Sequence, residues 1–176
     1  MSKTAITDVR IFDGTGDAPF GGSVLIEGNR IAAVAHNNDD FGTTDFRVID
    51  GAGRFLMPGM TEGHGHLSFD GITATEGLML PPPEEQTLAT ARNARLLFDH
   101  GFTSIYSASE AKLRLAVAVR NEIDAGRMAG PRIRAGSMEI SVTGAMGDEG
   151  RLHDPRQGPS ILIDGPEEMR KAVRLC

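Results

Sequence analysis

His64 and His66 stand one residue apart in the stretch Pro58-Gly59-Met60-Thr61-Glu62-Gly63-His64-Gly65-His66. A short apolar run precedes them (Phe55, Leu56, Met57 and Met60). Read as a β-strand, that run carries both imidazoles off its end on one side, because strand side chains alternate with period two. Gly65 between them takes up almost no space, which would let a bulky group approach. Two neutral imidazoles converging at a strand end form half of a metal site, and zinc and its first-row neighbours favour imidazole nitrogen. A catalytic zinc needs three or more protein ligands, so this pair is not the whole site.

Other residues with chemical capacity are scattered. His153, in Gly150-Arg151-Leu152-His153-Asp154-Pro155, falls in a long polar loop and reads as a rim position. His100 ends a helix, where a cation favours the macrodipole, and His36 falls in a polar turn. Ser107 and Glu110 follow a strand, at the strand end where active sites form in parallel α/β folds, and their plainer reading is loop solvation and helix capping. The methionines suit core filling better than metal binding. The sequence holds neither a phosphate-binding glycine signature nor a Gly-x-Ser-x-Gly elbow.

Two kinds of segment must position these groups. Residues 1–57 read as β-structure: a strand over Ala5 to Phe12, turns at 13–17 and at Gly21-Gly22, and a hairpin over Ser23 to Ala35 around Gly28-Asn29. A further strand spans Phe46 to Asp50, and Gly51-Ala52-Gly53 turns into the strand before the histidines. From residue 58 strands and helices alternate. Leu67 to Leu80 is a mixed loop, Glu84 to His100 a helix stopped by Gly101, and Phe102 to Ser107 a strand. Lys112 to Ala125 is a helix, Pro131 opens a third strand, and 139–165 is a long loop. Pro166-Glu167-Glu168 starts a last helix. Such alternation predicts an α/β fold with parallel strands and helices outside.

A chain of 176 residues, 40% hydrophobic, can bury an ordinary core. A net charge of −6, with no basic block, argues against nucleic acid or an anionic membrane as partner. The single cysteine, Cys176, excludes an intrachain disulfide and suits a reducing compartment, so the cytoplasm is the expected location. No apolar stretch reaches the roughly 18 residues that a membrane span needs.

The flanks of the histidine pair are more specific than the pair. Val48-Ile49-Asp50-Gly51-Ala52-Gly53, Leu56-Met57-Pro58-Gly59-Met60 and Glu62-Gly63-His64-Gly65-His66 together resemble the opening signature of the amidohydrolase superfamily. Glu62 departs from it, since the usual acid there is Asp. Gly130-Pro131-Arg132-Ile133 and Thr143-Gly144-Ala145-Met146-Gly147-Asp148 resemble the branch of imidazolonepropionase-like and Xaa-Pro dipeptidase-like enzymes. In that branch a Gly-His pair stands where this chain has Ala145-Met146, and an Arg-Asp where it has Tyr106-Ser107.

The resemblance implies a (β/α)8 TIM-like barrel preceded by part of a small β-sandwich: 1–57 for the sandwich and 58–176 for about the first three barrel units, with the rest expected beyond residue 176. It implies a metal-dependent hydrolase that cleaves a C–N bond in an amide, lactam, carbamate or urea by means of an activated water. His64 and His66 would be ligands of one or two divalent ions, most simply zinc. A carboxylated lysine, two further histidines and a proton-moving aspartate would lie beyond this sequence. Tyr106, Met146 and His153 would border a small-molecule substrate, and a homo-oligomer is expected. Deamination of a ring amine on the same scaffold is the rival chemistry, and a non-catalytic metal- or ligand-binding fragment the rival from another class.

Overall fold

The computed structural model describes residues 2–37, 41, 45–69, 71, 76–148 and 158–176. The chain divides into two compact units, Met1–Pro58 and Gly59–Cys176.

The first unit is one sheet of β1 (Lys3–Ile11), β2 (Phe20–Glu27), β3 (Arg30–His36) and β4 (Arg47–Leu56), in the order β3-β2-β1-β4. β1 runs antiparallel to β2 and parallel to β4. Val9, Ile11 and Val24 form its core, with Ile6, Phe20, Ile26 and Leu56 against them. Gly28, at φ +62°, makes the tight β2–β3 turn. Among the described residues the expected sandwich is represented by this single layer.

Three local expectations for this unit are corrected. Gly21-Gly22 is not a turn but lies inside β2, where Gly22 faces His36 across the ladder. A methyl on Gly22 would stand 2.2 Å from the Ala35 carbonyl oxygen, so the glycine serves close strand approach. Gly51-Ala52-Gly53 does not end a strand either, for β4 runs through it as a bulge, with Ala52 at φ +48° and Gly53 at φ +72°. β1 carries the matching irregularity at Asp8 (φ +49°), so the ladder resumes beyond it. His36 ends β3 rather than sitting in a free turn, with its ring stacked on Phe20 at 4.1 Å.

The second unit begins with β5 (Met60–Gly65). It continues through α1 (Glu76–Met79), α2 (Pro83–Asp99), β6 (Phe102–Ser107), α3 (Leu115–Asp124) and β7 (Arg132–Arg134). The three strands form a parallel sheet in the order β5-β6-β7. Phe55 and Leu56 belong to β4, and the strand bearing the histidines starts only at Met60. Pro58, which has no N–H for a ladder, separates the two.

α2 starts on Pro83 with Glu84 and Glu85 in its first turn, as the macrodipole favours. It ends where the His100 Nδ1 meets the Leu96 carbonyl at 2.8 Å, before Gly101 at φ +91°. α2 packs on β6 and α3 on β7, and the two helices touch each other. Leu67, Ala94, Ile105, Ala116, Val119 and Ile133 form the buried core between sheet and helices.

α3 begins at Leu115, three residues later than the periodicity suggests. The break is at Arg114, which lies in the left-handed region at φ +67°. Before it, the Lys112 ammonium donates to the carbonyls of Leu78 (3.0 Å) and Met79 (3.3 Å) and to Gln86 Oε1. Burial holds this lysine below its ordinary pKa.

The segment 139–165, expected as loop, contains a parallel pair, β8 (Glu139–Ser141) and β9 (Ser160–Leu162), before α4 (Pro166–Leu175). Asp164 fastens this segment: its carboxylate accepts the Thr143 N–H at 3.0 Å and the Thr143 hydroxyl at 2.5 Å. The hydroxyl bond first, and then the backbone bond, hold Asp164 below its ordinary 3.8. A depressed carboxylate adds stability above its unfolded pKa, and that contribution is lost as pH falls through the folded value. The urea midpoint of the protein should therefore exceed that of Asp164→Asn by a constant margin above about pH 5, and the margin should close below pH 3.8. A margin independent of pH would refute the assignment.

Candidate active site

β5 and the turn after it hold the histidine pair. The ring centroids of His64 and His66 are 5.1 Å apart with planes 78° apart, so the two imidazoles do converge. Simple alternation is not the whole reason. Glu62 pairs with Ile105 and Gly65 with Ser107, so β5 carries an extra residue against β6 at this point. Glu62 stabilises the irregularity by accepting the His64 N–H on Oε1 at 2.9 Å.

Gly65 is not the open approach that its position between two imidazoles suggests. A methyl on it would meet Ile105 Cδ1 at 2.6 Å and Glu62 Cγ at 3.1 Å, so its bare face points into the core.

His66 is oriented more tightly than His64. Its Nδ1 lies 3.1 Å from the Ser109 carbonyl and 3.2 Å from the Ser109 hydroxyl. A carbonyl only accepts, so Nδ1 carries the proton and Nε2 the lone pair, the arrangement usual for a metal-bound imidazole. Phe69 stacks on the ring at 4.5 Å. Two imidazoles, one with its tautomer fixed from behind, are a donor set that fits a divalent transition metal. Among the described residues no cluster of three or more His, Cys, Asp or Glu suited to a metal occurs.

Ser107 and Glu110 correct the expectation of solvated loop residues, for both are 1% exposed. The Glu110 carboxylate accepts the Ser68 N–H at 2.8 Å and the Ser107 hydroxyl. A lone Glu in a loop gives no sign of this in sequence, because one donor, Ser68, lies 42 residues away and the other, Ser107, ends strand β6.

Tyr106 is 57% exposed and stands opposite Arg134 in the ladder. Together with Thr61, Ser104 and Arg132 these two line a recess of about 440 Å³. Tyr106 immediately precedes Ser107, the ladder partner of Gly65, and neither His64 nor His66 is among the residues that line its recess. Met146 lies between β8 and β9, is 93% exposed, and does not line that recess. His153 lies outside the described residues.

No protein-family model matches the chain. A solved amidohydrolase superposes on it with a TM-score of 0.79 at 21% identity, over 98% of this chain and 43% of that one. A Xaa-Pro dipeptidase with methionine bound in its active site gives 0.79 at 25% identity, over 99% and 44%. The structural neighbours include amidohydrolases and Xaa-Pro dipeptidase-like or prolidase-like proteins. A curated relative, the 5′-deoxyadenosine deaminase of Methanothermobacter thermautotrophicus, is 55% identical over 47 residues, which are 27% of this chain and 10% of the deaminase. The chain spans less than half the length of the amidohydrolase structures that it matches. Among the described residues, no helix is long and apolar enough to cross a membrane.

Proposed function

We propose that this chain supplies two imidazole ligands to the metal centre of a hydrolase that cleaves a C–N bond in an amide, lactam, carbamate or urea. The observation that carries the reading is the His64–His66 pair at the end of β5, with His66 Nδ1 tied to the Ser109 carbonyl. When bound, a divalent ion such as zinc supplies Lewis acidity that polarises a carbonyl and brings the pKa of water towards ~7. The chain's own part is to present nitrogen lone pairs in a fixed direction. Glu62 shapes the turn that places His64, and Ser109 keeps the proton of His66 on the far side of its ring. Tyr106 and its neighbours offer hydroxyl and guanidinium donors on the open strand face, suited to orienting a small polar substrate.

The deaminase relative favours a second reading, loss of ammonia from a ring amine. One assay separates the two. The complete protein, loaded with zinc, is given N-acyl amides, dipeptides and aminopurine nucleosides. An organic amine together with a new carboxylate supports C–N hydrolysis of the first kind. Ammonia with a ring carbonyl supports deamination, and neither product from any substrate refutes both.

Although Met146 does not line the Tyr106 recess, it stands where the resembling enzymes carry an imidazole, and it bears on the choice of substrate if its loop borders the site. It is too exposed to be packing its loop, and a thioether cannot pair with a carboxylate as an imidazolium can. Met146→His should raise kcat/KM for carboxylate-bearing amides relative to neutral ones by about tenfold, the equivalent of one added polar contact. An unchanged ratio across such a panel would remove Met146 from substrate recognition.

A further inference from the structure

We propose that Glu110 is a positioning residue for His66: its buried carboxylate locks the turn whose Ser109 carbonyl holds the Nδ1 proton of His66. A carboxylate that is 1% exposed persists only where donors meet it, and Glu110 meets two, the Ser68 N–H on Oε2 at 2.8 Å and the Ser107 hydroxyl on Oε1. Three further bonds fasten the same place. The Ala111 N–H donates to Ser68 Oγ at 2.8 Å, the Ala108 N–H to the Gly65 carbonyl at 2.8 Å, and the Glu110 N–H to the Ser137 carbonyl at 2.9 Å.

The segments after β5, β6 and β7 therefore meet at Glu110. Ser109 lies between two anchored neighbours, so its carbonyl is held against His66 Nδ1. An imidazole whose Nδ1 is kept protonated offers Nε2 alone as the lone-pair atom. Without the carboxylate, the buried Ser68 N–H and Ser107 hydroxyl lose their acceptor and must seek others, which moves the turn. The consequence for metal binding rests on His66 being a ligand, as proposed above; the consequence for the tautomer does not.

The test uses the full chain, free of metal and labelled with ¹⁵N-histidine, at pH 8, above the ordinary imidazole pKa of about 6.5. Long-range ¹H–¹⁵N spectra then report the tautomer of His66, and a chromophoric chelator reports zinc affinity. The wild type should show the Nδ1–H tautomer alone. Glu110→Ala should show a mixture and bind zinc about 10–100-fold more weakly, the usual cost of an outer-shell partner. Glu110→Gln keeps an acceptor for the Ser68 N–H and can donate to Ser107 Oγ, so both readouts should stay near wild type.

Circular dichroism establishes folding, and should Glu110→Ala fail to fold, Glu110→Asp, which keeps the charge but falls a methylene short, replaces it in both measurements. A folded variant with a pure Nδ1–H tautomer and unchanged zinc affinity overturns the proposal, as does a wild type whose His66 lacks that tautomer. A wild type that binds no zinc sinks the metal reading, and the tautomer comparison then decides this proposal alone.

Discussion

Replacing His64 and His66 together by alanine should, on the function proposed above, strip the complete protein of the proposed transition metal and of the proposed hydrolytic activity. The expectation follows from geometry, since the two rings are 5.1 Å apart and Nδ1 of His66 is committed to Ser109. Loss of an outer-shell partner alone costs about 10–100-fold in metal affinity or activity, and loss of two ligands must cost more. Elemental analysis of the purified wild type should give zinc or a related metal near stoichiometry, and the double variant should give only background. His100→Ala is the control, because that ring is occupied with the Leu96 carbonyl at a helix end. Unchanged metal content in the double variant would end the assignment, whatever happened to activity.

The histidine pair was legible because its information is local: two imidazoles one residue apart, followed by alternating strand and helix. Helix α2 was legible for the same reason, with Pro83 and two acids at one end and Gly101 at the other. What escaped depends on partners distant in sequence. The bulges in β1 and β4 make sense only because the two strands are neighbours. β8 and β9 are three residues each, too short for a periodic pattern, and pair across about twenty residues. Glu110 resembles any loop acid until Ser68 is brought to it by the fold. Lys112 reads as the start of a helix, but Arg114 at φ +67° delays it to Leu115, and the Lys112 ammonium meets the carbonyls of Leu78 and Met79 instead.

Gly65, expected to leave room for a bulky group beside the histidines, instead leaves room for the core. Ile105, 1% exposed, lies where a methyl on Gly65 would be, with Cδ1 at 2.6 Å and Cγ1 at 3.1 Å. Ile105 is packed in a cluster with Leu67, Ala94, Ala116 and Ile133, so it has no solvent to swing into. Gly65→Ala should therefore destabilise the protein by about 1–3 kcal/mol, the usual cost of overpacking. Ile105→Val removes Cδ1, the atom in conflict, at a cost of about 0.5–1.5 kcal/mol when made alone. Combined, the two changes should cost less than their sum, with a coupling of about 0.5–3 kcal/mol as found for residues in contact. Urea denaturation of the four proteins measures that coupling. Were Gly65 there to admit a ligand, Gly65→Ala would leave stability unchanged and weaken zinc binding, and Ile105→Val would restore nothing. Additive costs across the cycle would place the conflict somewhere other than Ile105.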